Sequence, residues 1–182
     1  MRSFLTAAHE DPHRAAAVQR KKRTDERMEL VIFVGLQGSG KSGYFANRYA
    51  ATHVHVSKDL FPRHTRDKAE RQLREVEQAL VTGRSVVVDN TNPRRADRKV
   101  LVEAARRAGA RVVAVHFLAS VGEALRRNAT REGRARVPDV AIFTTARRLE
   151  PPAPEEGFDE IVRVRLGEGG FSVEPATAQT PP

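Results

Sequence analysis

Leu30-Val31-Ile32-Phe33-Val34-Gly35-Leu36-Gln37-Gly38-Ser39-Gly40-Lys41-Ser42 is an apolar run that breaks into a glycine-rich octet. The apolar half has the length and β-branching of a strand buried on both faces. The octet fits G-x-x-x-x-G-K-S, and a helical pattern follows it over residues 41–50. A strand that turns through small residues into a helix aims several backbone N–H groups, and the positive end of the helix dipole, at one point. Residues 35–42 therefore read as a phosphate loop. Gly35, Leu36, Gln37, Gly38, Ser39 and Gly40 would wrap the phosphates of ATP, Lys41 would neutralise the β- and γ-phosphates, and the Ser42 hydroxyl would ligate Mg²⁺. The alternative is a glycine-rich turn with no ligand.

Working outward, β-branched runs alternate with helical patterns, the signature of a parallel sheet with crossover helices. Strands are predicted over residues 52–57, 85–89, 111–117 and 158–165, and helices over 65–82, 95–108, 121–131 and 138–148. The expected architecture is a three-layer α/β P-loop fold. It has a central parallel sheet, the third strand beside the first, and a small helical lid carrying arginine near residues 131–138. This domain is expected over residues 28–166. Residues 1–27 hold seven basic and four acidic side chains and little to bury, so they read as a poorly ordered basic arm, with Met28 a second candidate start. Residues 167–182 contain Gly169-Gly170 and end in Pro181-Pro182, and they read as a disordered tail.

The 182 residues, 40% hydrophobic, suit one domain with a real core. The absence of cysteine excludes disulfides, thiol catalysis and cysteine-ligated zinc, and it fits a reducing, cytoplasmic setting. No apolar run is long enough for a membrane span. A formal charge of +9 favours phosphate-bearing partners such as nucleotides, nucleic acids or acidic metabolites. Aromatic residues, 5% of the chain, do not interleave with the basic runs, so a base-stacking platform is not indicated. The six histidines form no metal-ligand pattern, and His53 and His55 read as packed or solvent-exposed.

Asp89 closes the predicted third strand, where a parallel sheet presents functional groups at its carboxyl edge. It reads as a carboxylate that holds Mg²⁺ or its water shell, or fixes Ser42 by hydrogen bonding, with a turn former within Asp89-Asn90-Thr91-Asn92-Pro93 as the alternative. Asp59 follows the second strand at the same edge and could accept the proton of an attacking hydroxyl, or merely cap or pair. Arg127 and Arg131, four residues apart, are expected to share a helix face and to offer guanidinium groups to a transferring phosphoryl group. Solvated surface arginine is the alternative.

The octet, the Lys58-Asp59 pair, Asp89-Asn90-Thr91-Asn92-Pro93 with Arg98, the Arg127-Asn128 step, Val137-Pro138 and Glu156-Gly157-Phe158 occur in that order over residues 30–165. In this set the chain resembles the kinase domain of polynucleotide 5′-hydroxyl kinases. The resemblance implies direct, in-line transfer of the γ-phosphate of ATP to a 5′-hydroxyl. In that reading Asp59 is the general base, Lys41 and Arg131 are catalytic, Arg127 contacts ATP, and Ser42 and Asp89 serve the metal. Asn90 to Asn92 read first as architecture, with Asn90 and Asn92 also candidates, together with Arg98, for the acceptor pocket. The departures are Gly43 in place of a usual Thr, Lys58 where Arg is common, and Pro62 where an acceptor-phosphate arginine falls, with Arg63 displaced by one. The phosphatase domain of some relatives has no room in 182 residues, so kinase chemistry alone is expected. Two alternatives stay open: a kinase of a small metabolite, nucleoside or antibiotic, and a non-catalytic nucleotide switch.

Overall fold

In the computed structural model, residues 28–175 are described; the expected arm over 1–27 and residues 176–182 of the expected tail lie outside them. The strands are β1 (Glu29–Val34), β2 (Val54–Val56), β3 (Val86–Val88), β4 (Arg111–Phe117), β5 (Glu160–Gly167) and β6 (Gly170–Pro175). The helices are α1 (Lys41–Arg48), α2 (Lys68–Val81), α3 (Arg95–Arg107), α4 (Val121–Ala129) and α5 (Asp139–Arg148), with short 3₁₀ turns at Gly133–Ala135 and Pro154–Glu156. The sheet order is β2-β3-β1-β4-β5-β6, so the third strand does lie beside the first. All neighbours are parallel except β5 and β6.

The apolar run of β1 decides the layering. Leu30, Val31, Ile32, Phe33 and Val34 have no exposed surface, and their alternation sends them to opposite faces. Leu30, Ile32 and Val34 pack with Val76 and Leu80 of α2 and Leu101, Val102 and Ala105 of α3. Val31 and Phe33 pack with Val115, Phe117, Val164 and Tyr44 of α1. A smaller cluster of Leu36, Ala124 and Ile142 joins the octet to α4 and α5. Burial on both faces makes β1 a rigid support, and the loop that follows it inherits that rigidity.

Two expectations change here. The segment from Gly167, read as a structureless tail, supplies β6 up to Pro175 as the return strand of a hairpin. Phe171 gives it an apolar anchor, with its ring 5.1 Å from that of Tyr44, and composition alone hides such a contact. Arg98 is the second. It was read as an acceptor-pocket candidate, but it has no exposed surface and therefore touches no substrate. Its Nε and Nη2 donate to the two carboxylate oxygens of Glu156, each at 2.7 Å. Its Nη1 donates to the carbonyls of Asn92, Pro93 and Glu150 at 3.0, 3.2 and 3.0 Å. The guanidinium thus ties the segment after β3 to the chain that follows α5.

Removing one member of a buried, bidentate pair leaves the other charge without compensation. Arg98→Ala is therefore expected to lower unfolding free energy by about 3–5 kcal/mol, measured by urea denaturation. A loss below about 1 kcal/mol, the range of exposed pairs, would show that Arg98 does not brace the fold.

Candidate active site

The octet forms the loop between β1 and α1, and its glycines are required by geometry. Gly38 has φ 76°, and a Cβ there would come within 2.7 Å of the Ala124 carbonyl oxygen. Gly40 has φ 97° as the N-cap of α1, and its Cβ would lie 2.9 Å from a Leu166 methyl. Neither place admits a side chain. Lys41 is folded into the loop, with Nζ donating to the carbonyl oxygens of Leu36 at 2.5 Å and Gly35 at 3.2 Å and to Ser39 Oγ at 3.4 Å. Burial lowers its pKa from 10.5 to about 8, Asp89 and Asp59 act in the opposite direction, and Arg131 lowers it further. Asp89, Asp59 and Arg131 therefore all lie near enough to Lys41 to act on its charge.

Asp89 follows β3 and is nearly buried. Its Oδ2 accepts from Ser42 Oγ at 2.9 Å and lies 3.1 Å from His55 Nε2. Ser57 Oγ donates to the Asp89 carbonyl at 2.8 Å and accepts from the Asp59 amide at 3.4 Å, so the two acidic segments are joined through one hydroxyl. Asp59 itself is exposed at the sheet's carboxyl edge. Phe61, 3% exposed and capped by the Arg71 guanidinium 4.5 Å from its ring centre, anchors the segment beyond.

Hard oxygen ligands from one hydroxyl and one carboxylate suit Mg²⁺, which is commonly held by one or two protein groups together with substrate phosphates. Among the described residues no cluster of three His, Cys, Asp or Glu could hold a metal alone. Ser42 and Asp89 therefore fit a metal that arrives with a nucleotide.

The run after Asp89 is largely scaffold. Asn92 adopts φ 39°, is 4% exposed, and donates through Nδ2 to the Phe33 carbonyl at 2.8 Å. The Gly35 amide donates to the Thr91 carbonyl at 3.1 Å, fastening the start of the loop. Asn92 is thus consumed by architecture, as first read, and its second reading as an acceptor contact is corrected. Asn90 is partly exposed and bridges Lys58 N at 3.0 Å and Gln72 Oε1 at 2.5 Å.

The two arginines part company. α4 ends at Ala129, where Thr130 caps it by donating to the Arg127 carbonyl at 3.0 Å, so Arg131 lies past the helix and shares no face with Arg127. Arg127 donates to the carbonyls of Leu166 at 2.8 Å and Gly38 at 3.4 Å, linking the β5–β6 hairpin to the phosphate loop. Arg131 begins the lid and donates to the Ala135 carbonyl at 3.4 Å. Asn128, fully buried, closes the lid's base: Nδ2 donates to the Val137 carbonyl at 2.7 Å and to Asp139 at 3.0 Å, and Oδ1 accepts from Val137 N at 3.1 Å. Ser57, Gln72 and Asn128 carry no role of their own in the sequence reading; each has a partner 9 to 32 positions away. His55 was set aside for want of an adjacent ligand.

A strand, a glycine loop and a helix with an inward lysine, on a parallel sheet with an arginine-bearing lid, define a P-loop kinase fold. The chain belongs to the AAA domain family, whose model matches residues 30–152. It is 27% identical over 146 residues to the bifunctional polynucleotide phosphatase/kinase of Schizosaccharomyces pombe, covering 78% of this chain and 35% of that one. The chain spans about a third of the length of the curated relatives it matches. A fungal RNA kinase superposes with TM-score 0.58 at 16% identity, over 78% of this chain and 39% of that one. A gluconokinase from Sinorhizobium meliloti superposes with TM-score 0.54 at 26% identity, over 76% and 82%. The resemblance read from the motifs is thus matched by relatives named for polynucleotide kinase activity. Among the described residues no helix is long and apolar enough to cross a membrane.

The low pKa of Lys41 has a measurable consequence. Between about pH 8 and 10.5 the unfolded chain binds more protons than the folded one at this residue, so stability without nucleotide rises with pH across that window. Lys41→Met removes this dependence. It is expected to be the more stable protein at neutral pH by on the order of 3 kcal/mol, with the gap closing as pH rises through the window. A gap in urea denaturation that does not change with pH would contradict the buried, strained charge.

Proposed function

We propose that this chain is an ATP-dependent kinase that phosphorylates the 5′-hydroxyl end of a polynucleotide. The observation that carries the reading is the grouping of Lys41, Asp59, Asp89 and Arg131 about one loop, each within electrostatic reach of the lysine ammonium. The loop binds the ATP phosphates, and Lys41 exchanges carbonyl oxygens for phosphate oxygens. The acceptor oxygen attacks the γ-phosphorus in line as its proton passes to Asp59. The bond from that phosphorus to the bridging oxygen breaks, and ADP leaves. Arg131 meets the charge on the equatorial oxygens from the lid, while Arg127 steadies the loop and the nucleotide. Ser42, with support from Asp89, would hold Mg²⁺, which would supply positive charge against that of the nucleotide phosphates. No phosphoenzyme is needed, since positioning and charge suffice.

The polynucleotide acceptor is favoured by the Asp-Asn-Thr-Asn-Pro run, the relatives named for that activity, and a net charge of +9. The second reading, a small hydroxylated metabolite, is favoured by the gluconokinase likeness, which covers most of that protein. Both use the same base. A cytoplasmic setting is part of the proposal and rests on the cysteine-free composition.

Transfer of labelled phosphate from ATP to 5′-hydroxyl oligonucleotides is the expected activity, declining steeply with salt. Asp59→Ala should lower it by roughly 10²–10⁴-fold with ATP affinity unchanged. Transfer to gluconate or other small alcohols, with none to oligonucleotides, would replace the first reading by the second. Full transfer by Asp59→Ala would remove the base from both.

A further inference from the structure

The proposed function leaves His55 unused, yet it is the second side chain on the metal-site carboxylate. Its Nε2 lies 3.1 Å from Asp89 Oδ2, the same oxygen that takes the Ser42 hydroxyl at 2.9 Å. The Nε2–H tautomer of His55 makes this contact a second hydrogen bond to an oxygen that already accepts from Ser42. Two donors engage Oδ2, and among the described residues no donor reaches Oδ1. The carboxylate is thereby held with one oxygen tied down and the other free.

The imidazole is itself held. Its ring stacks on Phe45 with centroids 3.9 Å apart and planes at 15°, and 27% of its side chain is exposed. Phe45 lies three residues beyond Ser42 on α1 and shares its face. One helix thus delivers both the hydroxyl that contacts Asp89 and the ring that orients His55. Ser42, Asp89, His55 and Phe45 form a closed circuit across β2, α1 and the segment after β3, in which Asp89 lies 34 positions from His55 and 47 from Ser42.

We propose that His55 is a positioning residue for the metal–nucleotide site, setting the plane of Asp89 so that Mg²⁺ tightens nucleotide binding. The proposal rests on the ATP·Mg²⁺ reading of the loop. It assigns His55 no contact with substrate; the effect passes through Asp89, as partners behind metal-site groups commonly act. The specific consequence is selectivity of effect. His55 makes no hydrogen bond to residues 35–42, so nucleotide binding without metal is expected to be indifferent to it.

The test uses the full chain and a fluorescent ADP analogue, titrated with Mg²⁺ and again with EDTA. Wild type should bind more tightly with Mg²⁺. His55→Phe keeps an aromatic ring to stack on Phe45 but loses the donor. It should retain the EDTA affinity and lose about 10-fold of the Mg²⁺-dependent tightening. His55→Gln, which can still present an N–H, should recover most of it. If wild type responds to Mg²⁺ and His55→Phe responds equally, the positioning role is wrong while the nucleotide site stands. Equal losses with and without metal, or no rescue by His55→Gln, would make His55 only a packing residue. A wild type indifferent to Mg²⁺ would remove the metal site and this proposal together.

Discussion

One buried ammonium organises this site. Lys41 is turned into the loop against carbonyl oxygens of Gly35 and Leu36, and among the described residues no carboxylate lies within ion-pair distance of it. Carbonyl dipoles only partly replace lost water around a full charge, which is why burial pulls its pKa down to about 8. Such a charge has most to gain from an anion that enters the loop. The positive φ values at Gly38 and Gly40 serve the same end, because they let the backbone close around that position. β1, buried on both faces, keeps the cradle from relaxing around its own lysine.

The remaining groups are arranged about this charge by a chain of local commitments. Ser57 links Asp89 to Asp59, Asn92 fastens the segment after β3 to the end of β1, and the Gly35–Thr91 hydrogen bond closes the ring. Behind them Arg98 and Glu156 clamp two long connections together. Arg127 performs a related service on the other side, holding the loop against the last hairpin. These contacts keep the catalytic candidates in place.

The legible features in the sequence were those with a short-range signature. The octet, the five parallel strands and the acidic positions at strand ends follow from spacing and periodicity, and the structure places the strands nearly where the pattern puts them. Long-range partners were legible only where a motif marked both ends, as with Ser42 and Asp89. The Arg98–Glu156 pair spans 58 positions, and nothing near Arg98 marks it as buried. β6 was hidden because Gly169-Gly170 reads as a breaker, whereas here it makes the turn that returns Phe171 to Tyr44. Arg131 was placed on the same helix face as Arg127 by periodicity, but a cap at Thr130 ends the helix first. His55 lacked any neighbouring ligand in sequence because its partner, Asp89, comes from another strand.

The fold by itself accommodates many acceptors, since the loops at the carboxyl edge can change without altering the cradle. Transfer by this site requires that the γ-phosphate of ATP reach the space shared by Lys41, Asp59 and Arg131. A crystal structure with Mg²⁺ and a non-hydrolysable ATP analogue tests this most directly. The expected result has Lys41 released from the Leu36 carbonyl onto the phosphates, the Arg131 guanidinium on the γ-phosphate, and the Asp59 carboxylate facing the γ-phosphorus across an open channel. A nucleotide bound elsewhere, or a γ-phosphate that Asp59 cannot face, would contradict it.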